Sequence, residues 1–363
     1  MAIVGSRDDS TTEAQLAAFL TATVPGMTDV SVTVLPSPSS TGFSGDTVLF
    51  DATYGESAAR RTAELVARVA PRGYSLYQHH DLETQWRVID AVGRFSDVPV
   101  PRIVAHDTTE ASALGAPFFV MERVEGSAPA DRPPYTVKGW LHDATADEQA
   151  AAYRSGLDIL ARIHRLDWRR AGLEFLTEST FNPVGVERQF QHDRQFMEWA
   201  VAGRNYPALT RARDWMATNM PAEPTVVLSW GDSRLGNLLF RDMRPVAVLD
   251  WEMVTLAAPA ADVGWWLVFN QIHSVGIARP GLPGIPDDRA ALELYRELSG
   301  LPATDAEIHF YMVRAAVRAA LLLIKYGDAL IAAGTMAADA ARLPHTPAMV
   351  VLDNLLETGA LAG

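Results

Sequence analysis

Three side chains in one short stretch could carry out group transfer together. They are the carboxylate of Asp232, the guanidinium of Arg234 and the amide of Asn237, within Ser229-Trp230-Gly231-Asp232-Ser233-Arg234-Leu235-Gly236-Asn237. A second carboxylate, Asp250, follows thirteen residues later in Val248-Leu249-Asp250-Trp251-Glu252. A carboxylate can orient an attacking hydroxyl and accept its proton, while an amide oxygen and a second carboxylate hold Mg²⁺ against nucleotide phosphates. That is the chemistry of phosphoryl transfer. Taken singly, Gly-Asp and Gly-Asn are ordinary turn residues. The joint spacing, with an apolar run ahead of each acid, carries the reading.

Those runs are the elements that must position the groups. Val226 to Leu228 reads as a strand leading into the loop. Two further apolar runs, separated by Arg241-Asp242-Met243-Arg244-Pro245, read as a hairpin whose second strand ends at Asp250. Upstream, Val30 to Leu35, Thr47 to Ala52 and Ala63 to Pro71 read as strands. Asp81 to Val92 is predicted helical, with Leu82, Trp86, Ile89 and Val92 on one stripe. Pro117 to Gly126 is an apolar strand running into a Pro/Gly-rich linker that reaches Pro134. Beyond it the pattern turns helical, with capping boxes at Thr145-Ala146-Asp147-Glu148 and Thr304-Asp305-Ala306-Glu307. A third, Ser10-Thr11-Thr12-Glu13, opens a short helix over Ala14 to Ala22, placed outside the catalytic machinery.

The catalytic stretch resembles the aminoglycoside phosphotransferase and choline kinase-like family, whose loop runs His-Gly-Asp-x-x-x-x-Asn and is followed by a strand ending in Asp. Within that family the chain is most similar to actinobacterial aminoglycoside phosphotransferase-like members, over roughly Ser37 to Tyr326. The resemblance implies an α+β, two-lobed protein kinase-like fold. Residues 1–121 would form a small antiparallel-sheet lobe for nucleotide, with an extra N-terminal helix. Residues 122–363 would form a larger helical lobe for catalysis and the acceptor.

It also implies roles. Asp232 and Arg234 would be catalytic, Arg234 touching phosphate oxygens, with Asn237 and Asp250 on magnesium. Ser44, in the Gly/Ser loop before the second strand, would lie over the phosphates, and backbone groups of Glu122, Arg123 and Val124 would bind the base of ATP or GTP. Asp262 would brace the loop. Two departures stand out. Trp230 replaces the family's His. The chain has only two lysines, Lys138 and Lys325, so Arg68 takes the phosphate-binding place of the small lobe's Lys. A guanidinium binds phosphate bidentately, so the exchange is chemically workable. Its helical partner would be Gln85 or Glu83.

Composition bounds the partners. The 363 residues carry a formal net charge of −13, against nonspecific nucleic-acid binding. There is no cysteine, which removes disulfides, thiol nucleophiles and zinc-thiolate sites. The start lacks a signal-peptide apolar core and the longest aliphatic stretch, Ala319 to Ile324, cannot span a bilayer. The expectation is a cytoplasmic protein with a small-molecule hydroxyl acceptor, no nucleic-acid partner, no membrane insertion, and an oligomeric state left open.

Several other features have two readings. His164 reads as a satisfied core histidine, and the Phe190–Trp215 aromatics as core or acceptor site. Trp265 and Trp266 read as core packing or a cation-binding face. Gly281 to Asp288 is a loop long enough to move over a site. Arg314, Arg318 and Lys325 share a helix face, solvated or facing an anionic acceptor. The alternatives to a small-molecule O-kinase are a nucleotide-binding regulator without transfer activity and a kinase of a sugar or head-group metabolite.

Overall fold

The computed structural model describes residues 8–36, 46–56, 60–71, 76–77, 80–109, 111–179, 182–222, 225–337 and 346–358. The chain divides into two compact units, Met1–Gly93 with Pro101–Glu125, and Arg94–Val100 with Gly126–Gly363.

The first unit opens with α1 (Asp9–Thr23), then β1 (Ser31–Val34), β2 (Asp46–Tyr54), β3 (Arg61–Val69), α2 (Leu82–Phe95, which runs to the division), β4 (Ile103–Asp107) and β5 (Phe118–Glu122). The strands form one antiparallel sheet in the order β1-β2-β3-β5-β4. Helix α1 starts earlier than its sequence pattern suggests, because Asp8 is the N-cap and accepts the Thr11 N–H. Nor is it an appendage. Leu16, Phe19 and Leu20 are buried with Phe50, Ala52, Leu65, Ala67, Phe118 and Val120 of the sheet, and the Phe19 and Phe118 rings lie 4.8 Å apart, edge to face. At the other end of the unit, Trp86 of α2 stacks on His106 of β4 with ring centroids 3.8 Å apart.

The expected boundary after residue 121 would cut β5, which stays paired to β3 through Leu65↔Glu122; the division falls after Glu125 instead. The segment Arg94–Val100 is held within the second unit by Val248 N–H donating to the Pro99 carbonyl (2.8 Å) and by Arg162 Nε on Asp97 Oδ1 (2.9 Å).

The second unit contains α3 (Trp140–Asp143), α4 (Ala146–His164), α5 (Val186–Val201), α6 (Pro207–Thr218), β6 (Val227–Ser229), β7 (Leu238–Arg241), β8 (Arg244–Val248), β9 (Thr255–Ala257), α7 (Pro259–Ile272), α8 (Asp288–Ser299), α9 (Asp305–Ala332) and α10 (Pro347–Thr358). Two of the three predicted capping boxes form, Thr145 with Glu148 on α4 and Thr304 with Glu307 on α9, whereas Asp8 caps α1 in place of Ser10 and Glu13 accepts the Val34 N–H. Helix α9 is the axis of this unit. Its backbone approaches α7 so closely that a Cβ on Gly264 would lie 2.8 Å from the Tyr311 carbonyl carbon. Among the described residues no helix is long and apolar enough to cross a membrane.

Candidate active site

The loop that carries Asp232 is fixed from below before its polar side chains are placed. β6 pairs antiparallel with β9, Ser229 opposite Thr255. The chain then turns at Gly231 with φ +91°, where a Cβ would sit 2.3 Å from the Met253 carbonyl oxygen, so only glycine passes. Asp262, in the first turn of α7, accepts the backbone N–H groups of Trp230 (2.7 Å) and Gly231 (2.8 Å). Ser233 Oγ donates to the Asp262 carbonyl at 2.8 Å. His164 lies 2.9 Å from the same carboxylate through Nε2 and 2.6 Å from the Tyr295 hydroxyl through Nδ1. It is a satisfied core histidine, and its work is to support the brace.

Upon this floor the Asp232 carboxylate, 8% exposed, takes hydrogen bonds from three side chains. Arg234 Nε reaches Oδ1 at 3.0 Å, Trp265 Nε1 reaches Oδ1 at 2.7 Å, and Asn237 Nδ2 reaches Oδ2 at 2.6 Å. Trp265 is therefore a positioning residue as well as part of the core. Arg234 is itself held, with Nη1 on Asp131 Oδ2 at 2.5 Å and its guanidinium 5.2 Å from the Phe269 ring centroid. Burial works against its charge, yet the Asp232 and Asp131 carboxylates overcome burial and raise its pKa above the ordinary arginine value. Burial likewise opposes ionised Asp131, and the Arg234 guanidinium reverses that and brings it below the usual carboxylate range. His273, whose Nε2 is 3.6 Å from Asp131 Oδ1, is pushed down to about 4 by burial and is neutral near pH 7. Sequence reasoning missed Asp131 and His273. Asp131 sits in a stretch whose Pro/Gly content signals only a linker, and His273 follows α7 with no motif around it.

Asn237 and Asp250 come to the same end of one hairpin. Leu238 pairs with Val248, and the Leu249 N–H donates to the Asn237 carbonyl at 2.9 Å. Asn237 Nδ2 donates to both the backbone and the side-chain oxygens of Asp232, 2.9 and 2.6 Å, so its two amide hydrogens are used and Oδ1 is the atom left to coordinate. β8 ends at Val248, short of the expected Asp250, because Asp250 has φ +60° and left-handed backbone does not extend a ladder. The Trp230 indole N–H donates to the Leu249 carbonyl at 2.8 Å, tying the loop to this hairpin. The hairpin's own turn, Asp242 and Met243 at φ +51° and +58°, has both central residues left-handed, the form that matches strand twist.

In the first unit, Arg68 lies on β3 opposite Thr47 and Phe119, and its Nη1 donates to Thr47 Oγ1 at 2.8 Å. Of its two proposed helical partners, Glu83 is exposed and pairs with Arg87 (3.6 Å), while Gln85 is buried. Ser44 lies outside the described residues. At the strand-to-linker segment, the Glu122 N–H donates to the Arg102 carbonyl and the Arg123 N–H to the Glu64 carbonyl, each at 2.9 Å. Their side chains are also engaged, Glu122 with Arg102 and Arg123 with Asp51 and Glu64. Among the described residues, Val124 N–H has no hydrogen bond, so of the three it is the backbone donor open to a ligand.

Three other sequence features resolve. The 281–288 loop is anchored at two points: Leu282 is buried and the Gly284 N–H donates to Gln149 Oε1 at 3.0 Å. Phe190 and Phe196 are core, as is Trp266. The α9 cations are not a solvated face. Arg314 and Arg318 are largely buried beside Asp193, and Lys325 turns to Asp328 (3.9 Å) and the Trp199 ring (4.1 Å).

A family model described as the phosphotransferase enzyme family, APH, matches residues 38–301. The chain belongs to this phosphotransferase family. Acyl-CoA dehydrogenase family member 10 of Mus musculus is 30% identical over 271 residues, which is 72% of this chain and 24% of that protein. The chain spans between a quarter and about a third of the length of the curated relatives it matches, 24% and 34% for two of them. Among solved structures, a candidate aminoglycoside phosphotransferase of Ralstonia eutropha aligns with a TM-score of 0.70 at 24% identity, covering 95% of this chain and 98% of that one. The streptomycin–ATP ternary complex of APH(2")-IIa aligns with a TM-score of 0.52 at 13% identity, covering 95% and 96%. These likenesses place the chain in the kinase-like fold of the family, an antiparallel-sheet unit followed by a helical one.

Proposed function

We propose that this chain transfers the γ-phosphoryl group of a purine nucleoside triphosphate, ATP or GTP, to a hydroxyl of a small molecule. The observation that carries this reading is the Asp232 carboxylate, buried yet aimed by three donors, one of them the Asn237 amide whose oxygen would be left for a metal ion. A carboxylate so held accepts a hydrogen bond from the acceptor hydroxyl in a fixed direction. The acceptor oxygen forms its bond to the γ-phosphorus as the bond from that phosphorus to the β–γ bridging oxygen breaks. The nucleoside diphosphate leaves with the bonding electron pair, and the hydroxyl proton goes to Asp232. Positioning and charge neutralisation supply most of the acceleration.

Asn237 Oδ1 and the Asp250 carboxylate are a donor set suited to magnesium shared with phosphates, since Mg²⁺ takes one or two protein oxygens and completes its shell with phosphate and water. Magnesium, when bound there, would neutralise β- and γ-phosphate charge. In this reading Arg234 acts through Asp232 and Asp131 more than by direct phosphate contact, because both carboxylates already engage it. Arg68, the Val124 N–H and Ser44 would hold the nucleotide, with Glu122 and Arg123 shaping the segment that contacts the base.

The test is Mg²⁺-dependent phosphate release from ATP and GTP, without and with an alcohol panel. Asp232→Asn is expected to lower kcat about 100- to 10,000-fold, the range of a lost general base. Wild-type turnover in that variant would overturn the assignment.

A further inference from the structure

The hydrogen bonds at Asp232 leave room for one more donor. A carboxylate offers about four acceptor sites, two on each oxygen. Oδ1 is filled by Arg234 Nε at 3.0 Å and Trp265 Nε1 at 2.7 Å. Oδ2 has Asn237 Nδ2 at 2.6 Å and only the long arm of the same Arg234 Nε–H, at 3.2 Å. The remaining site is on Oδ2, and the transfer proposed above needs it for the acceptor hydroxyl.

The competitor for that site is Arg234 itself. In a guanidinium, Nε and Nη2 share one edge, and a carboxylate can dock across both with one N–H on each oxygen. Arg234 stands close to that arrangement, because its Nε already straddles both Asp232 oxygens and, among the described residues, its Nη2 makes no hydrogen bond. What opposes the last tilt lies at the far corner, where Nη1 donates to Asp131 Oδ2 at 2.5 Å.

Asp131 is placed for this contact. Its Oδ1 is buried with no hydrogen-bond donor among the described residues, and His273 Nε2, at 3.6 Å, is too far to be one. A buried carboxylate oxygen left without a donor destabilises the fold, so its position asks for a functional reason. The segment that carries it is fixed. Ser127 and Phe240 exchange both backbone hydrogen bonds at 3.0 Å, and Arg132 Nη1 donates to the Tyr326 hydroxyl of α9 at 2.6 Å. A second, separate observation comes from Gly236. A Cβ there would lie 2.5 Å from Arg234 Nη1 and 2.9 Å from Asp131 Oδ1, and its backbone is not left-handed, so what the glycine supplies is space for this ion pair. The Phe269 ring, 5.2 Å from the Arg234 guanidinium, also stacks on Trp265 with centroids 5.0 Å apart, so one ring backs both Oδ1 donors.

We propose that Asp131 is a positioning residue for phosphoryl transfer: by holding Arg234 Nη1 it keeps Nη2 off Asp232 and keeps the last Oδ2 site open for the acceptor hydroxyl. The inference rests on the phosphotransfer reading above and adds a third carboxylate to it, supplied by the Pro/Gly-rich linker. Asp131 acts through Arg234 and touches neither acceptor nor nucleotide.

The test uses the full chain with Mg²⁺ and ATP, with water as acceptor and with the best alcohol of the panel. Asp131→Ala lets the guanidinium close on Asp232 and is expected to lower kcat about 10- to 100-fold, the scale of a misplaced reacting group, with ATP affinity by calorimetry little moved. Asp131→Asn keeps an oxygen for Nη1 and is expected to recover most of that loss. The deciding measurement is a double variant. With Arg234→Gln there is no guanidinium to hold, so adding Asp131→Ala is expected to change kcat less than about twofold. Gly236→Ala puts a methyl where Nη1 lies while the Asp131 charge stays, and is expected to lower kcat in the same range of about 10- to 100-fold. It keeps the proposal testable where thermal melting shows Asp131→Ala unfolded, and it can be paired with Arg234→Gln in the same way. Losses that multiply in the double variant, a loss confined to ATP affinity, or a kcat near wild type in both Asp131→Ala and Gly236→Ala would overturn the inference and leave phosphotransfer standing. A wild-type chain that neither transfers phosphate nor hydrolyses ATP would sink the phosphotransfer reading and this inference with it.

Discussion

The loop around Asp232 and the β3–β5 region of the first unit treat their polar groups in opposite ways. Around Asp232 the carboxylate has three side-chain donors, the backbone beneath it has an acidic acceptor, and that acceptor has its own histidine. In the β3–β5 region, Arg68 donates to the Thr47 hydroxyl, and among the described residues the Val124 N–H, just past the end of β5, meets no acceptor. The contrast fits the division of labour proposed here. Directing a proton transfer needs a geometry fixed in advance, whereas holding a nucleotide base needs a backbone donor such as the Val124 N–H to meet it.

The comparison can be broken at its strongest point first. Asp262→Ala leaves two buried backbone N–H groups and His164 without their acceptor. It is expected to cut kcat about 100-fold or more through misplacement of Asp232 and to cost about 3 kcal/mol of stability. Steady-state kinetics and urea unfolding read the two effects separately. A kcat near wild type would mean that the loop holds its geometry without the brace.

Gly231→Ala tests the same floor sterically, since left-handed backbone and the Met253 carbonyl both oppose a Cβ. A loss of about 2–4 kcal/mol is expected, and an unchanged melting temperature would contradict the geometry.

A third test stays within the second unit and uses acidity. His273 is pushed down to about 4 by burial, so the unfolded chain binds its proton more readily and stability falls as pH drops from about 6.5 toward 4. Asp288 is pushed up to about 6 by burial, so the folded chain keeps its proton and stability falls as pH rises from about 4 through 6. The two slopes oppose each other, each up to about 1.4 kcal/mol per pH unit. Relative to wild type, His273→Gln is expected to make stability decline more with rising pH in this window, and Asp288→Asn to make it climb more. Denaturant unfolding at a series of pH values decides between these signs and their reverse.

The smallest effect belongs to the nucleotide side. Arg68→Ala is expected to weaken ATP binding about tenfold, from one charge-assisted contact, with little change in melting temperature. Titration calorimetry with unchanged affinity would leave Arg68 as a residue of the sheet and not of the nucleotide site.

Local signals in the sequence survived folding best. The Asp232–Asn237 spacing, the hairpin after it, the Asp262 brace and the capping boxes at Thr145 and Thr304 depend on neighbours a few residues away or on a strand order that the motif already implies. What stayed illegible depends on distant partners. Arg314 and Arg318 look solvated on a helical wheel, and only the 121-residue separation closed by Asp193 buries them. Asp131 meets Arg234 across 103 residues of chain. Trp265 looks like core from its apolar neighbours, and nothing local indicates that its N–H faces a carboxylate. The start of α1 was misread for a simpler reason. Asp8 and Ser10 are both good caps, and the earlier one won.

Trp230 stands where the family carries a histidine, and the consequence concerns acidity. An imidazole can gain or lose a proton near neutrality, which would make any link it forms conditional on the medium. The indole N–H that joins the loop to the Leu249 carbonyl is a donor at every pH the protein survives. In this chain the tether between the Asp232 loop and the hairpin that ends near Asp250 cannot be switched by protonation.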